Sequence, residues 1–193
     1  HGMDFLDSLD ANLLKERTVI LNSDIDDYLA GKLTRMFQLL AQKPDPILLL
    51  ISSHGGEVDA GGAIVRAIRY AQSQGCRVDG EVRGSCMSMA ALILEICDTR
   101  VMSRDDIIMI HGLTGATIGD LRNQKADVAL SNRMMDSHAR LLATRNTAEN
   151  PQYQDYSYWR TKLDDNMPLY YIGEEALISG LVDEVIDLGE NET

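Results

Sequence analysis

The run Pro46-Ile47-Leu48-Leu49-Leu50-Ile51 constrains this chain most, because it leads directly into Ser52-Ser53-His54-Gly55-Gly56. A short apolar run bounded by proline on one side and glycines on the other reads as a buried strand followed by a turn. No apolar run approaches the roughly 18–20 residues that a membrane span needs. The same punctuation recurs along the chain. Thr18-Val19-Ile20-Leu21 is a short strand. Ser23 or Asp24 is expected to cap a helix carrying Ile25, Leu29, Leu33, Met36, Phe37 and Leu40 on one face, stopped by Pro44 and Pro46. After Gly56 a small-residue helix is expected from about Val58 to Gln74, closed by Gly75. Arg77 to Val82 reads as a third strand, Gly84 to Ser88 as a tight turn, and Met89 to Ile96 as a strongly apolar helix. Further strands centre on Val101 and on Ile107 to Ile110. Asn150-Pro151 breaks the chain before a helix near Tyr156 to Leu163, and Gly173 to Leu177 opens another before a strand from Leu181 to Ile186. Strand–turn–helix units in series predict an α/β fold with functional loops at strand ends. At 193 residues the chain fits one domain, residues 1–193, and His1-Gly2 before Met3 reads as a cloning remnant.

Residues 118–146 follow a different pattern. Leu121, Val128, Met135 and Leu142 recur every seven residues on an otherwise polar helix. Such a stripe is either an interface with another copy or a narrow buried edge, and periodicity alone does not choose. The net charge of −12 argues against nucleic acid or a membrane surface as partner, since both require a clustered positive face. Cys76, Cys86 and Cys97 are odd in number and lack metal-ligand spacing, so free thiols in a reducing, cytoplasmic setting are expected. The four histidines show no zinc-type pairing, so no metal is expected. The sequence has no phosphate-binding GxxxxGK[ST] motif, and no cofactor is implied.

Three local features point to chemistry. Ser88 opens an apolar helix after a glycine turn, where its hydroxyl is exposed and the helix N-terminus offers unpaired N–H groups. A serine in that place is more often a simple N-cap. Gly55-Gly56 at a strand end lets backbone N–H groups approach a ligand closely, although a plain turn is the commoner use. His111 ends the apolar strand Ile107 to Ile110 and is placed to act as a general base, or as a satisfied buried histidine.

Together these segments resemble the Clp protease proteolytic-subunit family. Gly84-Ser85-Cys86-Met87-Ser88-Met89-Ala90 is similar to its nucleophile motif, and Ser53 to Gly61 to its oxyanion loop and the helix after it. Met109-Ile110-His111 matches its Met-Ile-His. Leu13 to Arg17 matches the start of its first strand, and Glu175-Ala176 with Gly180-Leu181-Val182-Asp183 its closing motif. The likeness runs from Leu13 to Ile186, in family order. The resemblance implies a spiral of β-β-α units, as in crotonases, with a protruding helical handle over about residues 112–148. It implies a serine endopeptidase with Ser88, His111 and Asp164 as triad, Asp165 being the rival third member. Gly56 and Met89 would form the oxyanion hole. It also implies peptide or unfolded-protein substrates, stacked heptameric rings, and an AAA+ unfoldase as the family's partner. Residues His1 to Asn12 do not resemble the segment that surrounds the family's axial pore, so the unfoldase stays open. His54 replaces the family's proline, Cys86 and Met87 replace two alanines, and Gly112 replaces the glutamine after the histidine. Two other readings remain: a non-catalytic ring subunit, and a crotonase-type acyl-CoA enzyme using the same oxyanion loop.

Overall fold

The computed structural model describes residues 5–113 and 121–188. The sequence alternates as expected: α1 (Phe5–Lys15), β1 (Thr18–Leu21), α2 (Asp27–Leu40), β2 (Ile47–Ser53), α3 (Val58–Ser73), β3 (Val78–Met87), α4 (Met89–Ile96), β4 (Thr99–Ser103), β5 (Ile107–Ile110), α5 (Leu121–Thr144), a 3-10 turn (Pro151–Gln154), α6 (Tyr156–Asp164), β6 (Leu169–Ile172), α7 (Glu174–Ile178) and β7 (Glu184–Ile186). The strands form one sheet in the order β1-β2-β3-β4-β7, all parallel, while β5 pairs with the distal part of β3 and antiparallel with β6. Helices cover the sheet, so β2 alternates between buried and half-buried positions with no exposed residue, as its apolar run requires.

Four local expectations change. The cap of α2 is Asp26, whose carboxylate accepts from the Leu29 N–H at 2.8 Å. Ile25 lies before the helix and bridges to Gly56. Leu13 to Lys15 belong to α1 and not to a first strand. The region from Gly84 is not a turn: β3 runs on through it to Met87, and Ser85 to Met87 pair in register with Ile107 to Met109. β6, unmarked in the sequence by any apolar alternation, is a strand because β5 offers it an edge.

The buried cluster runs from Val19 and Leu21 through Ile47, Leu49, Ile51 and Ile64 to Ile93, Leu94 and Trp159. Within it lies a charged group. Arg100, fully buried, places Nη1 2.6 Å from Glu95 at the end of α4, and Nη2 2.7 Å from Asp183 just before β7. Asp183 also accepts from the Arg100 backbone N–H at 2.8 Å. Burial pushes the Glu95 carboxyl up to about 7 against the pull of Arg100. Asp183 is held below its ordinary range, because the hydrogen bonds and charge of Arg100 outweigh its own burial. The terminal Gly180-Leu181-Val182-Asp183 motif therefore has a structural use: it fastens β7 to β4 and, through Arg100, to α4.

α5 divides in two. Ala139, Leu142 and Ala143 are buried and Met135 packs against the core, whereas Val128 and Leu130 are exposed by 55% and 57%. The seven-residue stripe is thus an internal edge at Met135 and Leu142 and bare at Val128, while the exposed Leu130 lies off the stripe. The Leu121 side chain lies outside the described residues. No helix among the described residues is long and apolar enough to cross a membrane.

Arg100→Met should destabilise the fold by about 3–5 kcal/mol, because two carboxylates lose their buried partner. Urea denaturation followed by circular dichroism measures this. Adding Glu95→Gln should recover part of the loss.

Candidate active site

The shift of β3 from one partner to the next builds the site. At Gly84, where φ is +94°, the strand bends from its pairing with β4 to its pairing with β5. The buried Asp106 carboxylate accepts from the Gly84 and Ser103 N–H groups, both at 2.7 Å, tying the bend to the turn before β5. One residue past β3, the Ser88 N–H donates to the Met109 carbonyl at 2.8 Å, so the ladder extends to the serine itself.

Ser88 has φ +55° and ψ −122°, a region that non-glycine residues avoid. Such strain, typically about 1–3 kcal/mol, persists only where the surroundings enforce it, and it concentrates at functional positions. Here the β5 ladder on one side and the first turn of α4 on the other enforce it. The side chain does not cap α4. Instead Ser88 Oγ lies 2.7 Å from His111 Nε2. Ladder register explains the meeting: Met87 sits opposite Met109, so the residue after β3 and the residue after β5 leave the sheet side by side.

Gly55 is packed over this elbow. Its φ is +98°, and a Cβ there would stand 2.8 Å from both the Met87 carbonyl and Ser88 Cβ, so glycine is required. The loop is pinned to the chain before α2: the Ile25 N–H donates to the Gly55 carbonyl and the Glu57 N–H to the Ile25 carbonyl, each at 2.8 Å. That bridge does not use the Gly56 N–H. The Met89 N–H, at the first position of α4, has no partner within the helix. These are the two donors that the family resemblance nominated, and Gly56 and Met89 line the same cavity as Ser88. The residue that replaces the family's proline, His54, lines a separate polar cavity with Ser23, Asp24, Ser52 and Ser85.

Gly112 also has a structural reason. A side chain there would collide with the Leu163 carbonyl at the end of α6, so α6 abuts the chain one residue beyond His111. Asp164 follows Leu163, yet its carboxylate pairs with Arg160 and is about half exposed. Among the described residues no hydrogen bond joins it to His111. Arg160 also holds Asp136 of α5 at 2.8 Å. Asp165 is the exposed C-cap of α6. Ser88 and His111 are therefore brought together, and the aspartates stand near them without touching the imidazole.

Cys86 is fully buried, and burial, with the Cys97, Glu95 and Asp106 groups nearby, pushes its thiol well above the ordinary value. Such a thiol stays protonated and is no nucleophile. A cavity of about 90 Å³ opens beside Ser88 and His111, walled by Val58, Met89, Leu92, Leu142 and Leu163 and by His138 of α5. His138 was not singled out in the sequence. It sits on the polar helix, and only the packing of α5 against α4 turns it towards the site.

The model of the Clp protease family matches residues 2–189. The chain is 29% identical to the ATP-dependent Clp protease proteolytic subunit 2 of Corynebacterium diphtheriae, over 96% of this chain and 90% of that one. It is 31% identical to the protein of the same name from Corynebacterium efficiens, over 92% and 86%. With the match spanning nearly its whole length, the chain belongs to the Clp protease family.

Proposed function

We propose that this chain is a serine endopeptidase subunit that cleaves peptides or unfolded polypeptides within an oligomeric chamber. The 2.7 Å contact between Ser88 Oγ, on its strained elbow, and His111 Nε2 carries this reading. Nε2 takes the hydroxyl proton as Oγ bonds to the peptide carbonyl carbon. The carbonyl oxygen, now anionic, is held by the Gly56 and Met89 N–H groups. One such donor is typically worth about 3 kcal/mol in the transition state. His111 then protonates the leaving amine, and a water molecule, activated by the same imidazole, hydrolyses the acyl-serine.

Asp164 is the proposed third member, orienting His111 and stabilising its protonated form. Its half-exposed pairing with Arg160 is cheap to break, since exposed ion pairs contribute only about 0–1 kcal/mol. Catalytic hydrogen bonds in unliganded sites are often longer than in the working complex. The close approach of Leu163, the residue before Asp164, to Gly112, the residue after His111, supports this reading.

The acyl-CoA reading is disfavoured by the Ser88–His111 contact, since an enzyme of that kind would use the oxyanion loop without a serine nucleophile. A non-catalytic subunit would have no use for strain at Ser88. Assembly is proposed from the exposed N-terminal half of α5, where Val128 and Leu130 are bare; it would pair with α5 of a second copy and join stacked heptameric rings. The relatives are named as subunits of ATP-dependent proteases, and an AAA+ unfoldase is the corresponding proposed partner. A cytoplasmic setting agrees with three free, buried cysteines.

Ser88→Ala should abolish peptide cleavage and fluorophosphonate labelling while leaving the particle size unchanged. Labelling of another residue, or turnover by the variant, contradicts the assignment. Asp164→Asn should lower kcat by up to about ten-thousand-fold, with Asp165→Asn mild, as steady-state peptide hydrolysis would measure. If Asp165→Asn is the crippled variant, the third member shifts by one residue. Val128→Glu with Leu130→Glu should split the assembly in sedimentation velocity while leaving the circular dichroism of the subunit intact. A full-sized particle from this double variant refutes pairing through α5.

A further inference from the structure

His138 is the polar group at the site that the chemistry above leaves unused. Apart from Ser88 and His111, it is the one side chain with strong hydrogen-bonding capacity among the described residues lining the cavity. The remaining side chains of that wall are apolar. His138 also borders a second cavity of about 390 Å³, which shares Val58, Met89 and Leu92 with the first and is flanked by Arg69 of α3 and Arg140 of α5. No aspartate or glutamate is among the described residues lining either cavity. His138 therefore stands where an apolar slot beside the nucleophile meets the second cavity.

Resting on the peptidase reading, we propose that His138 selects the side chain preceding the scissile bond, favouring glutamine or glutamate over lysine or arginine. The stem of such a side chain lies along Val58, Met89 and Leu92, and its terminal oxygen meets the imidazole. A leucine in the slot leaves the buried imidazole N–H without an acceptor, which penalises it. A lysine or arginine brings a positive charge towards two guanidinium groups with no acid to receive it.

The imidazole also makes the preference depend on pH. Burial alone holds the His138 pKa below its ordinary value. The titratable groups facing it are His111 across the first cavity and Arg69 and Arg140 across the second, while α4 presents Met89 and Leu92 and α6 presents Leu163, which do not titrate. His138 is thus neutral at pH 8, where it donates to glutamine and glutamate alike, and it gains a proton as the medium becomes acidic. The glutamate-to-glutamine preference then rises, because only the carboxylate gains from the charge.

The experiment uses the full chain and peptides identical except for leucine, glutamine, glutamate or lysine before the cleaved bond, with kcat/KM measured from pH 5.5 to 8. Glutamine and glutamate should exceed lysine by about tenfold, and the glutamate-to-glutamine ratio should rise as pH falls. His138→Leu should lower the glutamine-to-leucine ratio by about tenfold. His138→Gln should keep that ratio, because a donor remains, but flatten the pH dependence. Ratios within one preparation cancel differences in folding or assembly. Wild-type ratios in both variants, or a preference for lysine, overturn the proposal. Fluorophosphonate labelling of Ser88 in the same samples separates the two claims. Labelled enzyme with unchanged ratios overturns the role of His138 alone, whereas neither labelling nor hydrolysis overturns the peptidase reading with it.

Discussion

β3 gives up β4 as its neighbour at Gly84 and takes β5, and the buried Asp106 carboxylate holds both sides of that exchange at 2.7 Å. A strand that continued straight would deliver Ser88 into the main sheet. Because it bends, the Ser88 N–H reaches the Met109 carbonyl, and His111 emerges two residues later on the adjoining strand. The 2.7 Å contact between the two side chains follows from backbone register rather than from any attraction between them. Register is a rigid constraint, since sliding one strand by a residue would turn Ser88 or His111 to the opposite face.

The strain at Ser88 has to be held from behind. α4 begins at the serine and ends at Ile96, and Glu95 on its last turn is bound by Arg100, which in turn holds Asp183. A buried charge cluster is a weak source of net stability, but it fixes position, because each ion tolerates few arrangements of its partners. Here it fixes the far end of the helix whose near end carries the Ser88 hydroxyl. Gly55 lets the loop after β2 close over Ser88, and Gly112 lets the end of α6 abut the residue after His111.

α5 shows how one helix can serve two surroundings. Its C-terminal half buries Ala139, Leu142 and Ala143 and supplies His138 to the cavity, while Val128 and Leu130 stand bare beyond the reach of the domain. The mean hydropathy of the whole helix hides this division. A seven-residue repeat reports that one face is apolar and says nothing about which part of it finds a partner within the same chain.

Local sequence carried much of the result. Proline and glycine punctuation fixed the strand–helix alternation, since these residues restrict the backbone wherever they stand. Family-ordered motifs nominated Ser88, His111, Gly56 and Met89 because turn chemistry is local. Local signals could not reveal that Gly84 to Met87 continues a strand, that Leu169–Ile172 is one, or that Leu13 to Lys15 is helical. Those states depend on an edge or a surface offered by distant residues. They also could not place the Asp164 carboxylate, which pairs with Arg160 through side-chain geometry that no spacing encodes. The identity of the residues that can do chemistry was written in the sequence. Which of them meet was decided by tertiary structure, because a hydrogen bond depends on distance and direction, and both are set by the packing of elements far apart in the chain.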